Sequence, residues 1–195
     1  MRKHLGKYKI ILADPPWPYS RNYGGDPKNG GIQYPTMSIQ DLKDLSPLIK
    51  QITNRDSLCL MWATFPKLKE AIEVLESWGY GYKTVIFTWL KRTKSGKVYS
   101  GMGNYSNGNQ EIVLLGRRGK GCQRIRKDIK QVIEAPRGRH SEKPKELHSR
   151  IEALFGDVPR IELFARECVP GWVCLGNEIS GKDIRDELKE LNEFP

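Results

Sequence analysis

The sequence predicts an α/β fold built on a mainly parallel sheet. Short apolar runs bounded by breakers alternate along the chain with segments whose apolar residues recur at the helical period. Several apolar runs end in a polar residue, as strands do where an open α/β sheet binds its ligand. With 195 residues, of which 38% are hydrophobic, the chain is long enough for one sizeable core. Since no internal repeat or linker is visible, we expect a single domain over residues 1–195.

The first half of the chain shows two strand–helix units and a third strand. Ser38 precedes a helical pattern and Asp41 follows three residues later, which predicts an N-cap. Pro66 opens a second helix, which Gly79 closes. The long polar stretch from Ser20 to Pro35 predicts a functional loop such as a lid. The predicted elements are strands at Ile10–Ala13, Ser57–Ala63 and Tyr82–Leu90, and one helical pattern with Ile39, Leu42, Leu45, Leu48 and Ile49 on its apolar face.

The second half continues the alternation after a loop rich in Gly, Asn and Ser. This loop covers Lys91–Asn109, and a cation-rich segment covers Gly116–Lys130. Pro144 is the expected start of a helix that runs to Leu154. The other predicted elements are strands at Glu111–Leu115, Val132–Ile133, Arg160–Phe164 and Trp172–Leu175, and a closing helix at Ile179–Leu191.

Composition narrows the class of protein. The formal net charge of +10 fits a polyanionic partner such as nucleic acid, and solubility is the alternative explanation. No apolar run reaches the length of a membrane span, and the N-terminus has no signal-peptide h-region, so we expect a cytoplasmic protein. The cysteines form no C-x-x-C pair, which favours structural thiols in a reducing cytosol.

Several common site motifs are absent from the sequence. There is no G-x-x-x-x-G-K-[ST], no G-x-G-x-x-G after a strand, no H-E-x-x-H and no G-x-S-x-G. These absences disfavour a phosphate-loop nucleotidase, a standard dinucleotide fold, a zinc protease and a hydrolase. His140 and His148 are eight residues apart, so we interpret them as surface histidines and predict no metal site.

The stretch Asp14-Pro15-Pro16-Trp17 carries the most chemical information. The two prolines cannot continue a sheet ladder, so Asp14 is left at the carboxyl end of a buried strand. A carboxylate, a rigid carbonyl on Pro16 and the aromatic face of Trp17 suit a planar ring that carries an amino group. The alternative is a strand that ends in an Asp-Pro turn with a packing tryptophan.

Three later stretches also place polar groups beside strand or helix ends. Lys143 precedes a predicted helix start and suits a carboxylate, although this stretch taken alone favours the alternative, an ordinary capped helix with a solvated lysine. Glu162 lies in an apolar strand and suits the hydroxyls of a ribose, with an internal ion pair to Arg166 as the alternative. Asn177 and Glu178 follow the last strand, where the alternative is the polar rim of a turn.

Taken in order, these stretches resemble the DPPW-type adenine-N6 methyltransferases, the family that includes the catalytic subunit of the eukaryotic mRNA adenosine methyltransferase. The resemblance covers nearly the whole chain. The matching pieces are Asp14-Pro15-Pro16-Trp17, Tyr34-Pro35-Thr36-Met37, Leu60-Met61-Trp62-Ala63-Thr64, Gly101-Met102-Gly103 with Glu111, Ala135-Pro136, His140-Ser141-Glu142-Lys143-Pro144, Glu162-Leu163-Phe164-Ala165-Arg166 and Gly171-Trp172 through Asn177-Glu178.

The resemblance implies a Rossmann-like methyltransferase fold with helices on both faces of the sheet and a permuted, beta-class motif order, in which the catalytic motif comes first. It also implies S-adenosylmethionine as methyl donor. Lys143 would hold the methionine carboxylate, and His140 and Ser141 would belong to a loop over the site. The ribose and adenine of the cofactor would be surrounded by Glu162, Arg166, Asn177 and Glu178. The chain departs from many relatives at Asn107-Gly108 and at Glu167-Cys168, so no role is assigned there.

The resemblance implies methylation of the N6 amine of adenine, with Asp14 and the Pro16 carbonyl accepting the two amine hydrogens and Trp17 or Tyr19 stacking on the base. Because a duplex hides this amine, the base must be flipped out or unpaired, and the loops at Ser20–Pro35 and Lys91–Asn109 are candidates to close over it. The predicted phosphate track is the basic segment Arg117–Lys130 together with Arg137 and Arg139, and its alternative is a solvated basic loop. The substrate-binding residues expected within this segment are Arg117, Arg118, Arg124, Arg126 and Lys127.

DNA is the expected substrate, in a prokaryotic or phage enzyme. The alternatives are the same chemistry on RNA and a catalytically silent nucleic-acid-binding partner of a methyltransferase. We also expect no membrane association, and a homodimer or a partner subunit is possible on this interpretation.

Overall fold

A seven-stranded mixed sheet forms the centre of the protein. In the computed structural model the described residues are 6–19, 35–101, 103, 105–138 and 142–193. The strand order is β5-β3-β4-β2-β1-β6-β7. The strands are β1 (Tyr8–Ala13), β2 (Thr53–Ala63), β3 (Gly81–Arg92), β4 (Gln110–Arg118), β5 (Val132–Pro136), β6 (Arg160–Leu163) and β7 (Val173–Leu175).

The sheet is mainly parallel, as predicted. Strand β1 pairs in parallel with β2 and β6, β6 with β7, and β3 with β5. Strand β4 lies between β2 and β3 and is antiparallel to both. Because β4 runs the other way, its first residues lie at the same edge of the sheet as the carboxyl ends of the parallel strands. This edge is called the catalytic edge below, and the opposite edge is called the amino edge.

Helices cover both faces of the sheet, as the resemblance implies. Alternate residues of a strand point to opposite faces, so β1 sends Ile11 into one core and Ile10 into the other. The helices are α1 (Ile39–Asp44), α2 (Ser46–Ile52), α3 (Leu68–Ser77), α4 (Glu146–Phe155), α5 (Asn177–Ser180) and α6 (Ile184–Glu193). The first core contains apolar residues of α1, α2, α3 and α6, and the second contains those of α4.

Local signals explain most of the element boundaries. Ser38 and Asp41 form the predicted capping box at the start of α1. The predicted single helical pattern after Ser38 is divided in two, because α1 ends at Leu45 and Pro47 lies in the first turn of α2. The predicted closing helix is also divided, and Gly181 ends α5 in the left-handed conformation at φ 75°.

Strand β4 is longer than predicted and includes two of the predicted site residues. It extends three residues beyond the predicted Glu111–Leu115, to Arg118, so Arg117 and Arg118 belong to a strand instead of a basic loop. Among the described residues, no helix is long and apolar enough to cross a membrane.

Candidate active site

Asp14 lies immediately beyond β1, at the catalytic edge between β2 and β6. Its backbone N–H donates to the Leu163 carbonyl at 3.3 Å, the last contact before the prolines end the ladder. The Trp17 backbone N–H donates to the Pro15 carbonyl at 2.8 Å, so the chain turns sharply here. The sequence therefore determines both where the strand ends and where its carboxylate is placed.

Trp17 does not offer a free aromatic face. Its side chain is only 4% exposed, and its indole N–H donates to the Trp62 carbonyl at 3.1 Å. The stacking role expected for Trp17 is therefore not supported, because the ring is packed inside the core. Tyr19, the other expected stacking residue, is half-buried, and its hydroxyl lies 2.6 Å from the Thr64 hydroxyl.

The Pro16 carbonyl accepts a hydrogen bond from the Met37 backbone N–H at 3.0 Å. This contact joins two of the motifs named above and places Met37 beside the Asp-Pro-Pro-Trp turn. A carbonyl oxygen has two lone pairs, so Pro16 retains the capacity to accept one further hydrogen bond. The expected role of this carbonyl toward an amine is thus compatible with the structure.

Four charged side chains alternate in sign along the catalytic edge. The Lys143 ammonium lies 2.6 Å from Asp14 Oδ2 and 3.5 Å from Glu111 Oε2. Glu111 Oε1 in turn lies 2.5 Å from the Lys91 ammonium. The order Asp14–Lys143–Glu111–Lys91 is called the charged row below. None of its side chains is more than 21% exposed, so these ion pairs are shielded from solvent and salt.

Two buried tryptophans lie under the charged row. The Lys143 ammonium is 5.5 Å from the centre of the Trp62 ring, and the Lys91 ammonium is 5.1 Å from that of Trp89. The two rings pack edge to face with centroids 6.3 Å apart. Each ammonium is therefore held between a carboxylate and an aromatic face.

Burial and charge act in opposite directions on the two carboxylates. Burial raises the pKa of Asp14 above its ordinary value, although the Lys143 ammonium opposes this. Burial also acts to raise the pKa of Glu111, but Lys143 and Lys91 together outweigh it and lower that pKa. Glu111 is thus firmly ionised, whereas Asp14 keeps a carboxylate with an increased affinity for a proton.

Cavities adjoin Asp14 on the side of β6 and β7. One, of about 280 Å³, borders Lys143, Glu162 and Arg166. A second, of about 120 Å³, is bordered by Pro15, Pro16, Asn177 and other residues. Both border Asp14, Phe164, Arg166 and Glu178. The structure therefore brings the predicted catalytic motif and the described predicted cofactor residues together around two cavities that share these four lining residues.

The predicted cofactor residues have partners that the sequence did not indicate. Glu162 Oε2 lies 2.7 Å from His148 Nε2, and Arg166 Nε lies 3.1 Å from Glu178 Oε1. The predicted alternative, a Glu162–Arg166 ion pair, is not what the structure shows. His148 is only 15% exposed, so its interpretation as a surface histidine is wrong. Lys143 contacts Asp14 and Glu111, and it borders the larger cavity as well.

A close backbone approach holds the two cofactor stretches together. The Ala165 backbone N–H donates to the Leu175 carbonyl at 2.8 Å. A Cβ at Gly176 would lie 2.1 Å from the Ala165 carbonyl oxygen, so only glycine fits. Within the first of these stretches, Phe164 has a φ of 62°, a conformation that nonglycine residues rarely adopt and that is enriched at functional sites.

Some predicted site residues are not described or lie elsewhere. His140, Ser141, Tyr34, Met102 and Arg139 fall outside the described residues, as does most of the predicted loop Ser20–Pro35.

Arg117 and Arg118 lie at the amino edge, opposite the charged row. Arg117 pairs with Leu58 and Arg118 with Ser57, whereas Ala13 is level with Met61. Arg117 is therefore about four residues along the strands from the level of Asp14, or roughly 13 Å, and strand β2 lies between β4 and β1. The Arg118 guanidinium also donates to the Thr53 hydroxyl at 3.0 Å. The structure does not bring these arginines to the catalytic edge.

The cations of the 117–130 segment that follow β4 lie away from the charged row, whereas Arg137, also in the predicted track, follows the carboxyl end of β5. Cys122 contacts the Lys9 carbonyl and the Ile125 N–H donates to the Leu154 carbonyl at 2.8 Å, so this segment crosses the face covered by α4. Arg126 is paired with Asp128, while Arg124 and Lys127 are exposed. A phosphate track that leads from this segment directly into the site is therefore not supported.

Three residues of the site were missed from the sequence: Lys91, His148 and Phe164. Lysine, histidine and phenylalanine are common in surface loops, helices and cores, so their type carries no signal. Only Lys91 had a local cue, since it lies just past a predicted strand and therefore at the ligand-binding edge.

The fold is that of a Rossmann-like methyltransferase, and the predicted catalytic motif precedes the predicted cofactor stretches in the chain. The model of the MT-A70 family matches residues 8–178. The chain therefore belongs to the MT-A70 family, as the sequence resemblance predicted.

Individual relatives support this assignment, and they differ in how much of their own length the chain covers. The chain is 33% identical to the type II methyltransferase M.MunI of Mycoplasma sp. over 91% of this chain and 80% of that protein. It is 29% identical to the putative N(6)-adenosine-methyltransferase MT-A70-like protein of Medicago truncatula, over 94% of this chain and 28% of that protein. It is 28% identical to the N(6)-adenosine-methyltransferase catalytic subunit METTL3 of Homo sapiens, over 93% of this chain and 30% of that protein. The chain thus spans less than a third of these two eukaryotic relatives.

Proposed function

We propose that the protein transfers a methyl group from S-adenosylmethionine to the N6 amine of adenine in DNA. The observation that carries the proposal is the position of Asp14, which borders two neighbouring cavities. Pro16 borders the smaller cavity, Glu162 borders the larger one, and Arg166 and Glu178 border both. One of these two cavities suits the base whose amine accepts the methyl group, and the other suits a nucleoside cofactor. DNA is favoured over RNA because the similarity to a type II methyltransferase extends over 80% of that protein.

The residues present fit S-adenosylmethionine in their chemistry. Glu162 suits the ribose hydroxyls because its second carboxylate oxygen remains available beside the one that contacts His148. Lys143 has three N–H donors, so it can hold the cofactor carboxylate while it keeps Asp14 as a partner. Arg166, Asn177 and Glu178 complete the pocket, and His140 and Ser141 are proposed to cover it.

The proposed mechanism depends mainly on orientation and charge. Asp14 and the Pro16 carbonyl accept the two hydrogens of the adenine amine, which draws its lone pair out of conjugation with the ring. S-adenosylmethionine, when bound, supplies a methyl group on a sulfonium for the amine nitrogen to attack. The C–S bond breaks as the C–N bond forms, and the sulfonium leaves as a neutral thioether. Positive charge develops on the nitrogen, where the Asp14 carboxylate stabilises it from a fixed position, and one amine proton is then lost through Asp14 to solvent to leave neutral N6-methyladenine. Tyr19 is the remaining expected residue for stacking on the base.

The proposal is tested by methyl transfer from labelled S-adenosylmethionine to DNA and, separately, to RNA, followed by digestion to nucleosides. We expect labelled N6-methyladenine from DNA, and no label with Asp14→Ala, which should still bind the cofactor. Label on RNA alone would show that the substrate is RNA and not DNA. If the cofactor binds but neither polymer is labelled, the chain is a silent nucleic-acid-binding partner.

We also propose that the protein works in the cytoplasm of a prokaryote or in a phage-infected cell, on nucleic acid as its partner. A homodimer or a partner subunit stays a prediction. Light scattering of the purified protein with and without DNA would decide between one and two copies.

A further inference from the structure

We propose that the hairpin extension between β3 and β4 is the surface that holds the DNA strand beside the target adenine, and that Tyr105 at its turn stacks against a base. This extension comprises the described residues from Thr93 to Asn109 and is called the β3–β4 arm. The inference rests on the proposed function for its substrate. On this proposal the DNA phosphates contact the β3–β4 arm, and not the 117–130 segment predicted from the sequence.

The β3–β4 arm rises from the charged row. The Lys91 N–H donates to the Asn109 carbonyl and the Tyr99 N–H donates to the Lys91 carbonyl, both at 2.9 Å. Further out, Gly101 and Gly108 exchange backbone hydrogen bonds of 2.8 and 3.0 Å. Since the Lys91 side chain contacts Glu111, the base of the arm is continuous with the site.

The arm is positively charged and its cations are free for phosphate. From Thr93 to Asn109 the sequence contains two cations, Lys94 and Lys97, and no acid, whereas Lys91 and Arg92 of β3 are paired with acids. Lys94 and Lys97 are exposed, and neither forms a salt bridge within the described part of the chain. By contrast, Arg126 of the 117–130 segment is already neutralised by Asp128. Unpaired surface cations that meet no neighbouring acid are what a phosphate backbone requires.

An aromatic–cation pair anchors the arm to the end of β5. The Arg137 guanidinium carbon lies 4.4 Å from the centre of the Tyr99 ring, and the Arg137 backbone N–H donates to the Arg92 carbonyl at 3.0 Å. Arg137 is exposed, so a stacked guanidinium with solvent-facing donors adds a further phosphate contact at the catalytic edge. The anchoring holds the arm beside the site without using Lys94 or Lys97.

Tyr105 lies at the turn of the arm and is 104% exposed, the highest value among the large hydrophobic side chains described. The turn itself is tight, because a Cβ at Gly103 would lie 2.1 Å from the Ser106 carbonyl oxygen. Tyr105 is also six residues from Glu111, and so within roughly 20 Å of the charged row. A ring presented in this way has no packing role in the fold and suits stacking on a base or replacing one that has left the duplex.

Charge is tested with a matched pair of double variants. Lys94→Ala/Lys97→Ala removes two arm cations, and Arg124→Ala/Lys127→Ala removes two exposed cations of the 117–130 segment. Binding of a fluorescein-labelled 30-base-pair DNA is measured by anisotropy over a range of salt concentrations. The arm variant should reduce the slope of log affinity against log salt by roughly 2, because each lost phosphate contact removes about 0.9. The segment variant should leave the slope unchanged, and the reverse pattern would overturn the proposal.

Tyr105 is tested with Tyr105→Ala, Tyr105→Phe and the control Tyr82→Ala, since Tyr82 is an exposed tyrosine at the amino edge. Methyl transfer is measured on double-stranded plasmid DNA and on the same DNA after heat denaturation. Tyr105→Ala should reduce kcat/KM on duplex by roughly 5- to 150-fold, the range for loss of one stacked base. The loss on denatured DNA should be smaller, and Tyr105→Phe should keep activity. A loss no larger than that of Tyr82→Ala would contradict the role.

Failure of the arm and failure of the proposed function give different results. If wild-type protein transfers methyl groups to DNA but the arm double variant keeps the wild-type salt slope, the inference about the arm is wrong and the function stands. If the slope changes as expected but no variant or wild type labels DNA, the arm is a DNA-binding surface and the proposed reaction is wrong.

Discussion

Asp14→Asn and Glu111→Gln should affect stability differently although both remove one charge from the charged row. Glu111 contacts Lys91 at 2.5 Å and lies 3.5 Å from Lys143, so its replacement leaves both ammoniums with a neutral neighbour. Losing a buried hydrogen bond to a charged group costs about 1.5–3 kcal/mol. Since 1 kcal/mol shifts the melting temperature of a chain of this length by about 2–4 °C, we expect Glu111→Gln to lower the melting temperature by roughly 3–12 °C.

Asp14→Asn should change the free energy of unfolding by less than about 1 kcal/mol, or increase it. Burial already disfavours the charge on Asp14, as its raised pKa indicates, and asparagine keeps an oxygen that accepts from Lys143. The same variant should abolish methyl transfer, because a neutral amide stabilises developing positive charge poorly. Stability and activity are thus expected to separate at Asp14.

The pH dependence of the two variants should have opposite signs. The folded protein lowers the pKa of Glu111, so the stability that this carboxylate contributes is present at neutral pH and is lost as pH falls through its folded pKa. The folded protein raises the pKa of Asp14, so this group makes folding less favourable as pH rises from its unfolded to its folded pKa. On acidification, the deficit of Glu111→Gln and any advantage of Asp14→Asn should both shrink.

Thermal unfolding of wild type and both variants between pH 4 and 8 measures these differences in stability. Methyl transfer by the wild type at each pH shows whether activity falls on acidification at a pH above the ordinary pKa of an aspartate. Equal destabilisation by the two variants at neutral pH would refute the reasoning, since it would mean that the Asp14–Lys143 pair outweighs burial.

Three further predictions concern residues around the site and in the scaffold. His148→Phe should raise the KM for S-adenosylmethionine about tenfold with little change in kcat, because Glu162 loses its orienting partner. His148→Gln should restore most of the affinity. A fall in kcat alone would contradict this positioning role. Ser38→Ala should cost about 1 kcal/mol in chemical denaturation through loss of the helix cap, and an unchanged midpoint would show that the cap is dispensable. Gly116→Ala should cost about 1–3 kcal/mol, because its Cβ would lie 2.7 Å from the Tyr80 Cβ, and unaltered thermal unfolding would show that the core adapts freely.

Local patterns predicted the elements well where a physical rule acts within a few residues. The end of β1 at the prolines and the cap at Ser38 were both predicted, because proline removes a donor and serine accepts one locally. The length of β4 was underestimated, because Arg117 and Arg118 are poor indicators of a strand on their own and are held there by pairing with β2 and β3. That pairing is a tertiary interaction, and it places the two arginines at the amino edge.

The sequence by itself determined the family, the alternation of strands and helices, and the position of Asp14 at a strand end. Only the tertiary structure decided that Lys143, 129 residues away along the chain, contacts Asp14, that His148 orients Glu162, and that Trp17 is buried. Periodicity and breaker residues act through the backbone over a few residues, so they can be recognised in a sequence. The charged row depends on the strand order β4-β2-β1-β6, which is set by the packing of two cores and leaves no local pattern.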